Sequence, residues 1–179
     1  MLKFFKETGT KIDNMNTVVE IGGGYGNMAK IFKKLRPEST YIIIDIPIFS
    51  YIQALYLKIL FGRDAVSLIS KKDQMVNKGK INIVPLNEKN ILEIGGAIQD
   101  TDIFISTWAL SESNQKMQDL VKKLHYFNAK YLLLAYQKSN NSFGLAENIK
   151  DVRPDYSVSF DAETEYLRDN FYLFAKRAK

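Results

Sequence analysis

No cysteine occurs in the 179 residues, and there is one tryptophan, one histidine and four prolines. The missing thiol excludes disulfide scaffolds, thiol catalysis and cysteine-ligated zinc or iron–sulfur centres, and it fits a reducing, cytoplasmic setting. Long apolar runs are also lacking. The best window, Tyr41 to Gly62, is interrupted by Asp45, Pro47, Gln53 and Lys58, well short of the roughly 20 apolar residues a membrane span needs. At the N-terminus, Met1-Leu2-Lys3-Phe4-Phe5-Lys6-Glu7 places charge where a signal peptide needs an apolar core. A soluble, unexported protein is therefore expected. Charge blocks are missing as well: Lys33-Lys34, Lys71-Lys72, Lys122-Lys123 and Lys176-Arg177 are scattered pairs, so the net charge of +5 does not read as a nucleic-acid surface. What remains, 46% hydrophobic and 25% charged residues, suits a packed globule. The length corresponds to one domain over 1–179.

Thr17-Val18-Val19-Glu20-Ile21 is a β-branched run that stops at Gly22-Gly23-Gly24 and reads as a buried strand ending in a turn. Met28, Ile31, Phe32 and Leu35 then recur at helical spacing, with Lys30, Lys33 and Lys34 off the stripe and Pro37 as the stop. Tyr41-Ile42-Ile43-Ile44 is uninterrupted and apolar, the mark of a parallel strand covered on both faces. The alternation continues with a helix from about Phe49 to Phe61, strands at 81–84 and 102–106, a helix from about Ser113 carrying Met117, Leu120, Val121 and Leu124, and a strand at 131–136. Two final strands, 156–160 and 171–176, are separated only by 161–170, which favours an antiparallel pair over another crossover. The expected architecture is an α/β fold: a doubly wound, mostly parallel Rossmann-like sheet with an antiparallel C-terminal strand pair. Glu93-Ile94-Gly95-Gly96 repeats Glu20-Ile21-Gly22-Gly23 but has no β-branched strand before it, and is read as coincidence.

The loop Glu20-Ile21-Gly22-Gly23-Gly24-Tyr25-Gly26 puts glycines at alternate positions between a strand and a helix N-terminus, where a ligand can approach the backbone. Asp45 closes the next strand 19 positions beyond Gly26, where a carboxylate can accept both ribose hydroxyls; the competing reading is a helix cap before Pro47. A P-loop is excluded because Gly26-Asn27-Met28 lacks the Gly-Lys-Ser/Thr sequence. A dinucleotide fingerprint survives as Gly24-x-Gly26-x-x-Ala29, which keeps a dehydrogenase open as the weaker fit.

The acidic-x-Gly-x-Gly-x-Gly loop together with Asp45 resembles class I S-adenosylmethionine-dependent methyltransferases. More narrowly, Val18 to Asn27, Tyr41 to Pro47 and Asp102 to Glu112 are similar to the bacterial sugar O-methyltransferase family, over a stretch from about Thr17 to Gln137. The resemblance implies S-adenosylmethionine as cofactor. Gly22, Gly23, Gly24, Tyr25 and Gly26 would then line its methionine part and Glu20 would support its amino end. Asp45 would hold the ribose, Ile46 would pack on adenine, Asn87 would approach the adenine edge, and Thr107 and Trp108 would line the methyl-transfer side. A core aromatic and a turn residue are the competing readings of Trp108 and Asn87. The implied acceptor is a small molecule or saccharide, a sugar of a surface polysaccharide or glycolipid precursor; an RNA or protein methyltransferase and a non-catalytic nucleotide-binding module are the alternatives.

Methyl transfer to a hydroxyl is an in-line displacement that depends on positioning and is assisted by a general base. His125 is set aside: it ends a helix that runs back to the edge opposite the ligand side, where a helix C-terminal cation is the simpler account. Glu112, just beyond the fourth strand of the pattern, is the candidate base, with Glu147 and Asp151 behind it. No metal is assigned, because Gln137-Lys138 stands where a ligating carboxylate would be wanted. About 16 residues precede the first strand, which leaves little there for a lid and allows the chain to be only the catalytic portion of the arrangement seen in longer relatives. Residues 46–80 and 137–155 are expected to supply any acceptor cover. Phe49, Tyr51, Tyr56 and Phe61 are assigned by helical spacing to core or dimer packing before sugar stacking.

Overall fold

A computed structural model describes residues 1–69, 75–98 and 100–178. The Lys71-Lys72 pair lies outside the described residues. One sheet holds strands β1 (Thr17–Ile21), β2 (Thr40–Asp45), β3 (Val66–Leu68), β4 (Ile81–Pro85), β5 (Thr101–Thr107), β6 (Ala129–Gln137), β7 (Tyr156–Glu163) and β8 (Asn170–Arg177). Their order is β3-β4-β2-β1-β5-β6-β8-β7. The first six strands run parallel, and β8 pairs antiparallel with both β6 and β7. The expected doubly wound sheet with an antiparallel terminal pair is the one observed.

Helices α1 (Leu2–Thr8), α2 (Asn27–Leu35) and α3 (Pro47–Phe61) cover one face, and α4 (Glu88–Ala97) and α5 (Gln115–Lys123) the other. Tyr41, Ile42, Ile43 and Ile44 of β2 are fully buried, which explains why that strand reads as an unbroken apolar run. Each such side chain contributes roughly 1.5–3 kcal/mol by leaving water. Alternate residues serve alternate layers: Val19, Ile42 and Ile44 pack toward α4 and α5, whereas Val18, Tyr41 and Ile43 meet α1 to α3.

Three details differ from expectation. The apolar stripe on α2 is not its buried face: Ala29, Phe32 and Lys33 face the sheet, while Ile31 and Leu35 are exposed. Lys33 can be buried because its ammonium donates to the carbonyls of Pro37, Ser39 (2.7 Å) and Gly79 (2.9 Å), joining the end of α2 to the start of β2. Three elements stand outside the expected pattern: α1 and β3, too brief to announce themselves by apolar spacing, and α4, which falls between the strands expected at 81–84 and 102–106. Finally, α5 ends at Lys123, and His125, Tyr126, Phe127 and Asn128 form a left-handed turn with φ between 50° and 57°. Glu93-Ile94-Gly95-Gly96 lies inside α4, so it is no second copy of the glycine loop.

Candidate functional site

Chain direction reverses its spread at β1: β2 and β4 are added on one side, β5 and β6 on the other. Ligands of open α/β sheets bind outside the carboxyl ends of the strands at such a switch point. At this edge the ends of β4, β2, β1 and β5 bring together, in that order, Asn87, Asp45 with Ile46, the glycine loop, and Thr107 with Trp108.

The loop turns because Gly22, Gly24 and Gly26 adopt φ of 78°, 57° and 98°. The Gly22 N–H still donates to the Ile44 carbonyl (3.0 Å), and the Gly26 N–H to that of Gly23 (2.8 Å). Close packing adds a second constraint: a Cβ at Gly22 would stand 2.0 Å from Cβ of Ala109, and one at Gly26 would stand 2.9 Å from Cδ1 of Leu57. Gly24 meets nothing within 4 Å, so the loop is open at its centre.

Asp45 is buried at the end of β2. Its Oδ1 accepts the Ile46 N–H (2.8 Å) and its Oδ2 accepts Nε2 of Gln53 (2.8 Å). The N–H groups of Gly23 and Gly24 also act on it, and burial outweighs all four donors, leaving its carboxyl above the ordinary range. The same Gln53 nitrogen donates to the Gly24 carbonyl (2.7 Å). Asp45 and Gln53 therefore brace the loop as a unit. In the sequence Gln53 counts only as an interruption of the apolar window and not as a site residue; a lone amide within an apolar helix was the available signal.

Glu20 points into the sheet beside the loop, where Tyr41 donates its hydroxyl to Oε2 (2.9 Å). Burial pushes its carboxyl up to about 7, with nearby Asp45 adding to the rise and the Tyr41 hydrogen bond opposing it. Tyr25 and Ile46 are exposed on the rim, and Asn87 is exposed directly before α4, its carbonyl accepting the Ile91 N–H (3.1 Å). A cavity of about 390 Å³ opens beside Asn87, between α4 and the start of α5, lined by Leu86, Ile91, Asn114 and Met117 among others.

Beyond β5 the chain makes a strained turn. Trp108 has φ of 67°, a conformation uncommon for a bulky residue. Its indole donates to Oδ1 of Asn170 (2.5 Å), its N–H donates to the Ala135 carbonyl (2.9 Å), and its ring lies 6.3 Å from that of Tyr172. The residue is partly buried, and the Tyr172 it packs on borders the core cluster that holds α1 to α3. Ser106 locks this turn to β1 by donating to the Ile21 carbonyl (3.1 Å) and accepting from the Leu110 N–H (3.0 Å).

Glu112 is exposed on the same turn, with its N–H on the Trp108 carbonyl (2.9 Å). Glu147 is occupied: Lys150 lies 2.8 Å away, and the Ser139 N–H donates to its other oxygen (3.2 Å), which together hold its carboxyl below the usual range. Asp151 pairs with Lys122 at 3.4 Å. His125 lies just before the amino end of β6, away from this edge, with Nδ1 3.6 Å from Asp155. Among the described residues no three histidines or carboxylates converge on a metal position.

No protein-family model and no curated protein sequence matches the chain. Solved structures do. The mitomycin 7-O-methyltransferase MmcR superposes with a TM-score of 0.62 at 14% identity, covering 99% of this chain and 54% of that one. The fold is the Rossmann-like methyltransferase fold. Magnesium protoporphyrin IX methyltransferase from Synechocystis PCC 6803, solved with bound SAM, matches with a TM-score of 0.62 at 10% identity, over 99% of this chain and 76% of that one. An rRNA methylase from Escherichia coli matches at 0.61 and 11%, over 98% and 62%. The chain thus spans about half the length of MmcR, and methyltransferases named for different substrates share its fold. Among the described residues no helix is long and apolar enough to cross a membrane.

Proposed function

We propose that the chain is an S-adenosylmethionine-dependent methyltransferase acting on oxygen, with a sugar hydroxyl of a saccharide or glycolipid precursor as acceptor, in the cytoplasm. The observation that carries this reading is the braced glycine loop, open at Gly24 and held by Asp45 and Gln53 at the switch point of the sheet. The residues fit the cofactor. An open loop can admit its methionine part, and the buried carboxyl of Glu20 beside it suits the amino end. Asp45 would take the ribose hydroxyls in place of the loop N–H groups, and Ile46 and Asn87 would flank adenine. Tyr25 lies on the rim of the same loop.

When bound, the cofactor supplies an electrophilic methyl group. The chain's part is placement: Thr107 and the anchored Trp108 line the side from which the acceptor oxygen approaches, and the rigid Ser106 turn holds them there. Glu112, on this turn and exposed, removes the hydroxyl proton. Replacing it by glutamine is expected to lower turnover about 10²- to 10⁴-fold while leaving cofactor affinity within twofold. Production of S-adenosylhomocysteine across a panel of saccharides, glycolipids and RNA tests the acceptor class. Turnover on saccharides supports the reading; turnover on RNA alone, or on none of them, replaces it by one of the alternatives.

A further inference from the structure

Helix α3 is built inside out for a helix that covers a sheet. Its buried line is Ser50, Gln53, Ala54 and Leu57, whereas Ile48, Ile52, Leu55 and Ile59 point away and are 62%, 42%, 67% and 74% exposed. The outward positions are spaced four, three and four residues apart. That is the seam of a two-helix coiled coil, which isolated surface apolar residues do not produce. With Tyr51 on the same side, this face exposes roughly 550 Å², the larger part of the ~800 Å² that each partner of a standard interface buries.

We propose that this face of α3 is the two-fold interface of a homodimer, with the two α3 helices antiparallel. Near a two-fold axis a residue meets its own counterpart or a close neighbour, so a charged face would repel itself. From Pro47 to Leu57 the helix carries no charge, and Lys58 is its single ionised residue. An antiparallel arrangement sets the two lysines at opposite ends and pairs opposite ends of the helix dipoles. With the axis at mid-helix, Ile52 meets Leu55 of the second copy and Ile48 meets Ile59. The opposite side of the same helix carries Gln53, so the dimer contact would back the element that braces the glycine loop.

The test is mass in solution, and it requires no cofactor. Light scattering at micromolar concentration should give twice the 20.5 kDa of one chain. The I52E/L55E variant should fall to a single chain that still melts in one cooperative transition, at a temperature no longer dependent on protein concentration, and I52K/L55E, which pairs opposite charges across the antiparallel contact, should recover the dimer. Because the chain has no cysteine, oxidative cross-linking of mixed I48C and I59C variants provides a second readout that keeps the seam hydrophobic: mixed pairs should link and neither variant alone should. A folded wild-type chain that is monomeric, or that is monomeric and adsorbs to lipid vesicles, overturns the proposal. So does a dimer indifferent to I52E/L55E, or mixed cysteine variants that fail to cross-link.

Discussion

Glu20 retains its proton up to a pH of about 7 because burial beside Asp45 outweighs the hydrogen bond from Tyr41. Below about pH 4.5 the group is protonated in both folded and unfolded chains and contributes nothing to the pH dependence. Between there and pH 7 the unfolded chain ionises first, so stability falls as pH rises, by about 3 kcal/mol in all. Asp45, whose carboxyl is also raised, acts in the same direction. Urea unfolding of E20Q should show most of this slope removed and the variant more stable than wild type at pH 8; an unchanged slope would contradict the buried-acid account. Gly22 is constrained twice, by φ of 78° and by Ala109. G22A should therefore lose on the order of 3 kcal/mol or more, read from the same denaturant curves. The glycine loop and Asp45 were legible in the sequence because strand, turn and following strand are contiguous there. Gln53 and Asn170 were not, since they act on groups 29 and 62 residues away.

At the scale of elements, the left-handed turn at 125–128 shows how packing overrides local preference. Each non-glycine residue in that conformation costs roughly 1–2 kcal/mol. Tyr126 and Phe127 are nevertheless fully buried against Phe104, with ring centroids 5.6 and 6.0 Å away, and the Tyr156 hydroxyl donates to the Ala129 carbonyl (2.6 Å) with the His125 carbonyl 3.2 Å from the same oxygen. Removing that hydroxyl in Y156F strips the donor from the buried Ala129 carbonyl and should cost about 1–3 kcal/mol by calorimetric melting. Helical spacing alone placed His125 at the end of α5 and could not foresee the reversal. The same blindness explains α2. Its apolar residues at 28, 31, 32 and 35 form one stripe, yet the sheet selects the line through Ala29, Phe32 and Lys33, and a lysine satisfied by three carbonyls is invisible to a pattern that scores charge as exposed.

For the molecule as a whole, the order of strands does most of the functional positioning. β1 sits at the centre with β2 and β5 on either side, so the glycine loop, Asp45 and the Trp108 turn are neighbours although 86 residues separate Gly22 from Trp108. The alternation of strands and helices predicted this sheet, including its antiparallel end, because β2, β5 and β6 are buried on both faces and carry no polar period to confuse with helix. The Trp108 turn was less legible: the groups that set it come from β6 and β8, elements whose sequence announces only their strand character. On the proposed reading, this edge binds an adenosyl cofactor through a loop braced by Asp45 and Gln53. Calorimetric titration with S-adenosylmethionine, S-adenosylhomocysteine and NAD, repeated on D45A and Q53L variants checked for an intact melting transition, tests it most directly. Saturable binding of both adenosyl ligands, weakened roughly tenfold or more in each variant (about 1.4 kcal/mol), is the predicted result; binding of NAD alone, or adenosyl binding indifferent to both substitutions, would contradict it.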